Sequence, residues 1–154
     1  MRSLVEKIIL LKTVGIFSET PEEILAEVAA VLEEIEVKAG DAIIKKGDLG
    51  SSLYIIADGE VKVHNETHVI STLSESEVFG EFSLLDPGPR VATVTALEDT
   101  RLFRLDQEAF LELLDDHSTI ARKIIQVLVR YLRNAHSQYN SHVHQDSSIN
   151  ASGK

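Results

Sequence analysis

The sequence contains no cysteine and no tryptophan, and it has only three prolines and one methionine among 154 residues. The absence of cysteine excludes disulfide bonds, thiolate zinc sites and cysteine nucleophiles. No apolar run approaches the roughly 20 residues that a membrane-spanning helix needs, and no secretion signal is recognisable at the N-terminus. These absences predict a cytoplasmic chain without direct membrane contact.

Basic residues are scarce before His117. Ten basic and 24 acidic residues precede it, whereas five basic residues and one acidic residue lie between it and the C-terminus. A surface this acidic does not suit nucleic acid, because duplex affinity depends on neutralised phosphates. The charge distribution therefore predicts no nucleic-acid partner, and it confines a phosphate ligand to a small shielded pocket.

The length suits one domain, and three parts of it can be distinguished. Residues 1–34 are predicted to be helical. Within them, Thr20-Pro21-Glu22-Glu23 predicts a capping box, in which the Thr20 hydroxyl and the Glu23 carboxylate accept hydrogen bonds from free backbone donors. Apolar residues then recur at helical spacing.

From residue 35 to residue 105 the hydrophobic period changes to two, and glycines mark the breaks. Seven strands are predicted: Ile35–Lys38, Ala42–Lys45, Ser52–Ala57, Glu60–His64, His68–Leu73, Val91–Leu97 and Thr100–Leu105. Short strands separated by turn residues predict an antiparallel β-roll or sandwich. The helical period returns in residues 106–136, which predict two C-terminal helices, and the polar segment 137–154 is predicted to be a disordered tail. The fold class is therefore α+β.

The segment 79–93 interrupts the strands with features that suit an anion. A predicted helical turn, Glu81–Leu85, exposes free N–H groups at its start. A Pro-Gly-Pro loop then leads to Arg90, which can form two parallel hydrogen bonds to a phosphate. Because Glu81 can accept a hydrogen bond from a sugar hydroxyl, the segment predicts a pocket for a sugar phosphate.

This segment resembles the phosphate-binding cassette of the cyclic nucleotide-binding domain family. The matching residues are Phe79-Gly80-Glu81-Phe82-Ser83-Leu84 and Arg90-Val91-Ala92-Thr93, and the segment 47–60 is similar to the family's β2–β3 signature. The resemblance covers roughly residues 4–134. It implies a jelly-roll β-roll, residues 35–105, flanked by the N-terminal helices and by the two C-terminal helices, which serve as a lid.

The resemblance also implies a role for each matching residue. Arg90 would pair with the exocyclic phosphate of a cyclic nucleotide, and Glu81 would accept a hydrogen bond from the ribose 2′-hydroxyl. Backbone N–H groups would point at the sugar phosphate, and Tyr131 on the last helix would cover the base. The ligand-binding residues are thus predicted to be Gly80, Glu81, Phe82, Ser83, Arg90, Val91, Ala92 and Tyr131.

Two residues depart from the family pattern. Val91 stands where the family usually has alanine, serine or threonine, and a hydroxyl there is associated with cGMP preference, so cAMP is the favoured ligand and cGMP the second choice. Ser51 stands where many members have an acidic residue that orients the phosphate-binding arginine. Both departures leave open a degenerate domain that binds no nucleotide and serves as a protein-interaction or dimerisation module.

The function implied by the resemblance is regulatory, with no catalytic residue, metal or cofactor. Ligand occupancy would be transmitted through the C-terminal helix to an attached effector domain or to a second copy of the chain. A cupin-like enzyme would need inward histidines and a carboxylate on neighbouring strands, which the predicted strands Ser52–Ala57 and Val91–Leu97 lack. A complete transcription regulator would need a helix-turn-helix, but only 20 residues follow Asn134, so we expect the sensor part alone.

Overall fold

The computed structural model describes the backbone of residues 3–152 and the side chains of residues 3–139. The helices are α1 (Leu4–Lys12), a 3₁₀ turn (Gly15–Phe17), α2 (Glu22–Ala30), α3 (Glu81–Leu85), α4 (Gln107–Asp116) and α5 (Ser118–Ser152). The strands are β1 (Glu33–Val37), β2 (Ala42–Ile44), β3 (Leu49–Gly50), β4 (Ser52–Asp58), β5 (Val61–His64), β6 (Val69–Leu73), β7 (Val78–Phe79), β8 (Gly88–Pro89), β9 (Thr93–Ala96) and β10 (Thr100–Asp106).

The strands form two antiparallel four-stranded sheets and a short ribbon. One sheet has the order β1-β10-β4-β7, the other has the order β2-β9-β5-β6, and β3 pairs with β8. All seven predicted strands are confirmed with small shifts of their ends. The predicted α+β class and the jelly-roll arrangement are confirmed as well.

Strand β4 is the centre of the core, because it is buried on both faces. Side chains alternate along a strand, so Leu53, Ile55 and Ala57 pack against the helices. Tyr54 and Ile56 point the other way, into the space between the two sheets. The helical layer therefore covers one sheet, and the second sheet is left to form the wall of a cavity.

Helix α5 packs on the 3₁₀ turn and on α4 through its first four turns. Ile120, Ile124 and Val127 are buried there. The helix continues past residue 136, the end predicted for it, and includes residues 137–152. The predicted disorder of residues 137–154 stays a prediction, because residues 153 and 154, and the side chains from residue 140 onward, lie outside the described part of the chain. Among the helices of the described residues, none has the length and apolar character needed to cross a bilayer.

The capping box predicted at the start of α2 is wrong. The helix begins at Glu22, and Pro21, which has no side-chain donor or acceptor, occupies the N-cap position. The Thr20 hydroxyl is instead buried and has no hydrogen-bond partner among the described residues. Proline suits the N-cap position because its φ is fixed by the ring, here at −60°, and because the N–H that it lacks is not needed for a helical hydrogen bond there.

Replacing Thr20 with valine is therefore expected to stabilise the protein. A buried hydroxyl without a partner loses its hydration without compensation, so its isosteric replacement is expected to raise the free energy of unfolding by about 1 kcal/mol. Urea unfolding measures this difference. Thr100→Val is the matched control, because the buried Thr100 hydroxyl donates to the Glu98 carbonyl at 2.8 Å, and it should destabilise. A loss of stability in Thr20→Val would contradict the assignment.

Candidate ligand-binding site

The site begins at Gly80, where β7 ends and α3 starts. Gly80 has a φ of +80°, in the left-handed region that favours glycine. A Cβ atom at this position would also lie 2.5 Å from the Ser52 carbonyl oxygen. Glycine is required here for both reasons, and it turns the chain so that the first residues of α3 face the second sheet.

Arg90 is buried in this turn, with 8% of its surface exposed. Its Nη2 donates to the Ser52 carbonyl at 3.1 Å, and its backbone N–H donates to the Asp48 carbonyl at 2.8 Å. The guanidinium lies directly over Gly50, where a Cβ atom would be 1.9 Å from Nε. The first residue of β4 thus binds the side chain through its carbonyl oxygen, and Gly50 of the ribbon β3–β8 leaves room for it.

The guanidinium has no acidic partner in the described part of the chain. None of the ion pairs found there includes Arg90, which agrees with serine at position 51. A buried charge without a counter-charge is costly. The arrangement therefore leaves Arg90 available to an anionic ligand.

A cavity of about 360 Å³ adjoins Arg90. It is lined by Ile44, Val63, Phe79, Gly80, Glu81, Phe82, Ser83, Pro89, Arg90, Val91, Ala92 and Val94. Most of these side chains are apolar, and Arg90 and Glu81 are its charged members. One cation, one carboxylate and an apolar wall are features that a small ligand with an anionic and an apolar part requires.

Seven of the eight residues predicted for the site line this cavity together, and their contacts with a ligand stay predictions. Phe82 and Val91 are strongly exposed at the rim, with 62% and 88% of their surfaces accessible. Tyr131 does not line the cavity. Its hydroxyl lies against Gly15 instead, where a Cβ atom would be 2.1 Å from the hydroxyl oxygen and 3.5 Å from Cζ of the ring.

Glu81 is half-buried and accepts a hydrogen bond from the Ile16 backbone N–H, with Oε1 at 2.7 Å. Burial raises the pKa of Glu81 above its ordinary value of 4.5, and the hydrogen bond from Ile16 opposes this rise. Burial, and then the negative charge of Glu81, raises the pKa of Tyr131. The carboxylate therefore faces both the cavity and the helical layer.

This environment predicts a pH dependence of stability. The native state keeps the Glu81 proton to a higher pH than the unfolded chain does. The protonated carboxyl therefore contributes its full share to the free energy of unfolding below pH 4.5, and this share is lost as the pH rises through the raised pKa of the native state. Glu81→Gln retains an acceptor for Ile16 and removes the titration. We expect the variant to gain stability over the wild type between pH 4 and pH 7, as measured by urea unfolding.

The control for this prediction is Gln126→Ala, at an exposed position of α5. This variant removes no titratable group, so the difference between its free energy of unfolding and that of the wild type should stay level over the same pH range. A wild type that gains stability over Glu81→Gln with rising pH would show that the carboxylate is not destabilised by burial.

Several residues of the site were missed by sequence reasoning. Ile44, Val63 and Val94 supply the wall formed by the second sheet. They occupy inward positions of β2, β5 and β9, so the alternation of side chains could have found them. Ser52 contributes only its carbonyl oxygen and Ile16 only its N–H, and no side-chain pattern reports such contacts.

Known proteins with a similar sequence or structure define the family of this chain. The family model of the cyclic nucleotide-binding domain matches residues 34–117. The chain is 29% identical over 129 residues to the CRP-like cAMP-activated global transcriptional regulator of Mycobacterium tuberculosis, covering 80% of this chain and 58% of that protein. It is 33% identical over 120 residues to the cAMP-dependent protein kinase regulatory subunit of Dictyostelium discoideum, covering 73% of this chain and 37% of that protein.

Among solved structures, the N-terminal domain of a transcriptional regulator from Streptomyces coelicolor A3(2) matches with a TM-score of 0.80 and 30% identity. The match covers 84% of this chain and 94% of that one. The chain therefore belongs to the cyclic nucleotide-binding domain family, as the cassette predicts. It spans 58% or less of the length of the two curated relatives.

Proposed function

We propose that the chain is a regulatory module that binds a cyclic nucleotide in the cavity beside Arg90, with cAMP preferred over cGMP. The observation that carries this proposal is the buried Arg90 guanidinium, which adjoins the cavity without an acidic partner. A phosphate supplies the missing negative charge and matches the fork of the guanidinium. The names of two relatives, which describe a cAMP-activated regulator and a cAMP-dependent kinase subunit, support the choice of cAMP.

The remaining parts of the cavity suit the rest of a cyclic nucleotide. Glu81 lines the same cavity as Arg90, and its carboxylate would accept a hydrogen bond from the ribose 2′-hydroxyl. The backbone N–H groups of Gly80, Ser83 and Ala92 would bind the sugar phosphate. Phe82 and Val91 at the exposed rim offer apolar surface to the base, and Val91 offers no hydroxyl to a guanine.

Ligand occupancy would be transmitted through α5 to an attached effector domain or to a second copy of the chain. A ligand shifts a helix only when its affinity differs between two helix positions. Helix α5 packs on the 3₁₀ turn, and that turn donates to the cassette carboxylate through Ile16. This path needs no catalytic group, cofactor, nucleic acid or membrane, and a cytoplasmic location is part of the proposal.

Calorimetric titration of cAMP, cGMP and adenosine 5′-monophosphate into the purified chain tests the binding function. We expect cAMP to bind with a Kd in the micromolar range or lower, cGMP to bind more weakly, and the linear nucleotide to bind weakest. Tighter binding of cGMP would contradict the role assigned to Val91. No heat from either cyclic nucleotide at millimolar concentration would overturn the proposed function.

A second candidate is the degenerate module that binds a protein instead of a nucleotide. The observation in its favour is the outward face of α5, where Ile125 and Leu132 are 58% and 70% exposed. Ile124 of the same helix is buried in the core, so a partner would contact the outward face alone. A dimer in analytical ultracentrifugation that dissociates in Leu132→Asp, together with no nucleotide binding, would favour this candidate.

A further inference from the structure

Four groups from three separate parts of the chain meet at Glu81, the one of them that lines the cavity. The hydroxyl of Tyr131 on α5 lies against Gly15, so close that a Cβ atom there would be 2.1 Å away. A Cβ atom on Gly15 would also lie 3.0 Å from Oε1 of Glu81. This oxygen accepts the hydrogen bond from the Ile16 N–H at 2.7 Å. The last helix, the 3₁₀ turn and the cassette carboxylate are therefore in contact at one point.

The two oxygens of the Glu81 carboxylate have different surroundings. Oε1 is occupied by the Ile16 N–H, while Oε2 accepts no hydrogen bond that the described residues supply. A carboxylate has acceptor sites on both oxygens, so the bond from Ile16 fixes its orientation and leaves Oε2 for a ligand. A shift of the 3₁₀ turn would therefore move the Ile16 N–H and change the direction of Oε2.

We propose that Tyr131 is a positioning residue for Glu81. Its hydroxyl, which lies against Gly15, holds the 3₁₀ turn against α5, so that the Ile16 N–H fixes Oε1 and Oε2 is aimed at a ligand hydroxyl. This inference rests on the proposed function, and it differs from the sequence-based expectation that Tyr131 covers the base. The contact with the ribose 2′-hydroxyl and the docking of α5 then form one linked equilibrium, in which each strengthens the other by the same factor.

Other side chains of α5 contact this region as well. Ile124 is buried in the same cluster as Ile16, and Arg130 donates to Glu19 at 3.0 Å with both side chains about half exposed. Exposed ion pairs contribute little to stability. The contact of Tyr131 differs from these because it reaches Gly15, next to the Ile16 N–H that binds Glu81.

A thermodynamic cycle between ligand and protein tests this proposal. Calorimetric titrations compare cAMP with 2′-deoxy-cAMP in the wild type, Tyr131→Ala, Tyr131→Phe and Tyr139→Ala. We expect the wild type to prefer cAMP by about ten- to a hundredfold, because the hydroxyl donates to a charged acceptor. Tyr131→Ala should reduce this preference at least threefold, and Tyr131→Phe, which removes the hydroxyl that lies against Gly15 but keeps the ring, should lose part of it. Tyr139→Ala removes an exposed ring of the same helix and should leave the preference unchanged.

The outcomes separate this inference from the proposed function. If Tyr131→Ala weakens both nucleotides by the same factor, Tyr131 supports the fold of the cavity and does not position Glu81. If the wild type binds 2′-deoxy-cAMP as tightly as cAMP, Glu81 is not the acceptor, and the inference falls while nucleotide binding stands. If the wild type binds neither nucleotide, both proposals fall.

Hydrogen exchange of the Ile16 amide supplies a second readout that needs no ligand. The amide is expected to exchange slowly in the wild type because it donates to Glu81. Tyr131→Ala should accelerate its exchange, as Glu81→Ala should, and Tyr139→Ala should not. Unchanged exchange in Tyr131→Ala would overturn the inference irrespective of the titrations.

Discussion

Arg90→Ala is expected to lower the affinity for cAMP by about 2–5 kcal/mol, which is roughly 30- to 4,000-fold. The guanidinium is 8% exposed, so its interaction with a phosphate is only weakly screened by water. Alanine removes both the charge and the two parallel hydrogen bonds that a guanidinium can form. Arg90→Lys keeps the charge without the fork and should recover only part of the affinity.

Calorimetry with cAMP measures these losses. The control is Arg122→Ala, which removes an exposed arginine from α5 and should bind cAMP as the wild type does. If Arg90→Ala binds cAMP within threefold of the wild type, Arg90 does not bind the phosphate, and the ligand must be held by other groups.

Gly50→Ala is expected to lower the affinity for cAMP by at least tenfold, about 1.4 kcal/mol. A Cβ atom at this position would lie 1.9 Å from Nε, 2.2 Å from Cζ and 2.6 Å from Cδ of Arg90. Three atoms of one buried side chain cannot all retreat within a packed site. The arginine would leave its place over the ribbon and lose its bond to the Ser52 carbonyl.

The control for this variant lies directly opposite in the same ribbon. Gly88 pairs with Gly50 between β3 and β8, but a Cβ atom on Gly88 would meet no atom within 4 Å. Gly88→Ala should therefore bind cAMP nearly as tightly as the wild type. Equal affinity for cAMP in Gly50→Ala and Gly88→Ala would show that the space left by the missing side chain of Gly50 is not needed to position Arg90.

Much of the fold could be predicted from the sequence because its strands alternate clearly and its turns contain glycine. All seven predicted strands are present. The strands β3, β7 and β8 were missed because two residues are too few to show a period. Each of them nevertheless borders the site, since β7 leads into Gly80 and β3 and β8 enclose Arg90.

The helical parts were predicted less completely, for physical reasons that differ between them. The Thr20 capping box matched a motif, but the proline after Thr20 takes the N-cap position and leaves the hydroxyl without a partner. The predicted end of α5 relied on the loss of apolar residues after Asn134. The helix extends beyond that point to Ser152, so the loss of apolar residues does not mark the end of this helix.

The cassette could be predicted because its residues are contiguous and their spacing is distinctive. The groups that hold its charged residues could not be predicted in the same way. Glu81 is bound by a backbone N–H from a residue 65 positions earlier, and Arg90 by a carbonyl 38 positions earlier. Backbone atoms carry no residue-type signal, so such partners appear only when the chain is folded.

A crystal structure of the protein grown with cAMP tests the proposed site most directly. We expect the cyclic phosphate in the cavity beside Arg90, with phosphate oxygens at hydrogen-bond distance from the guanidinium and the ribose hydroxyl at hydrogen-bond distance from Glu81. A nucleotide bound elsewhere on the protein, or a phosphate that does not contact Arg90, would contradict it.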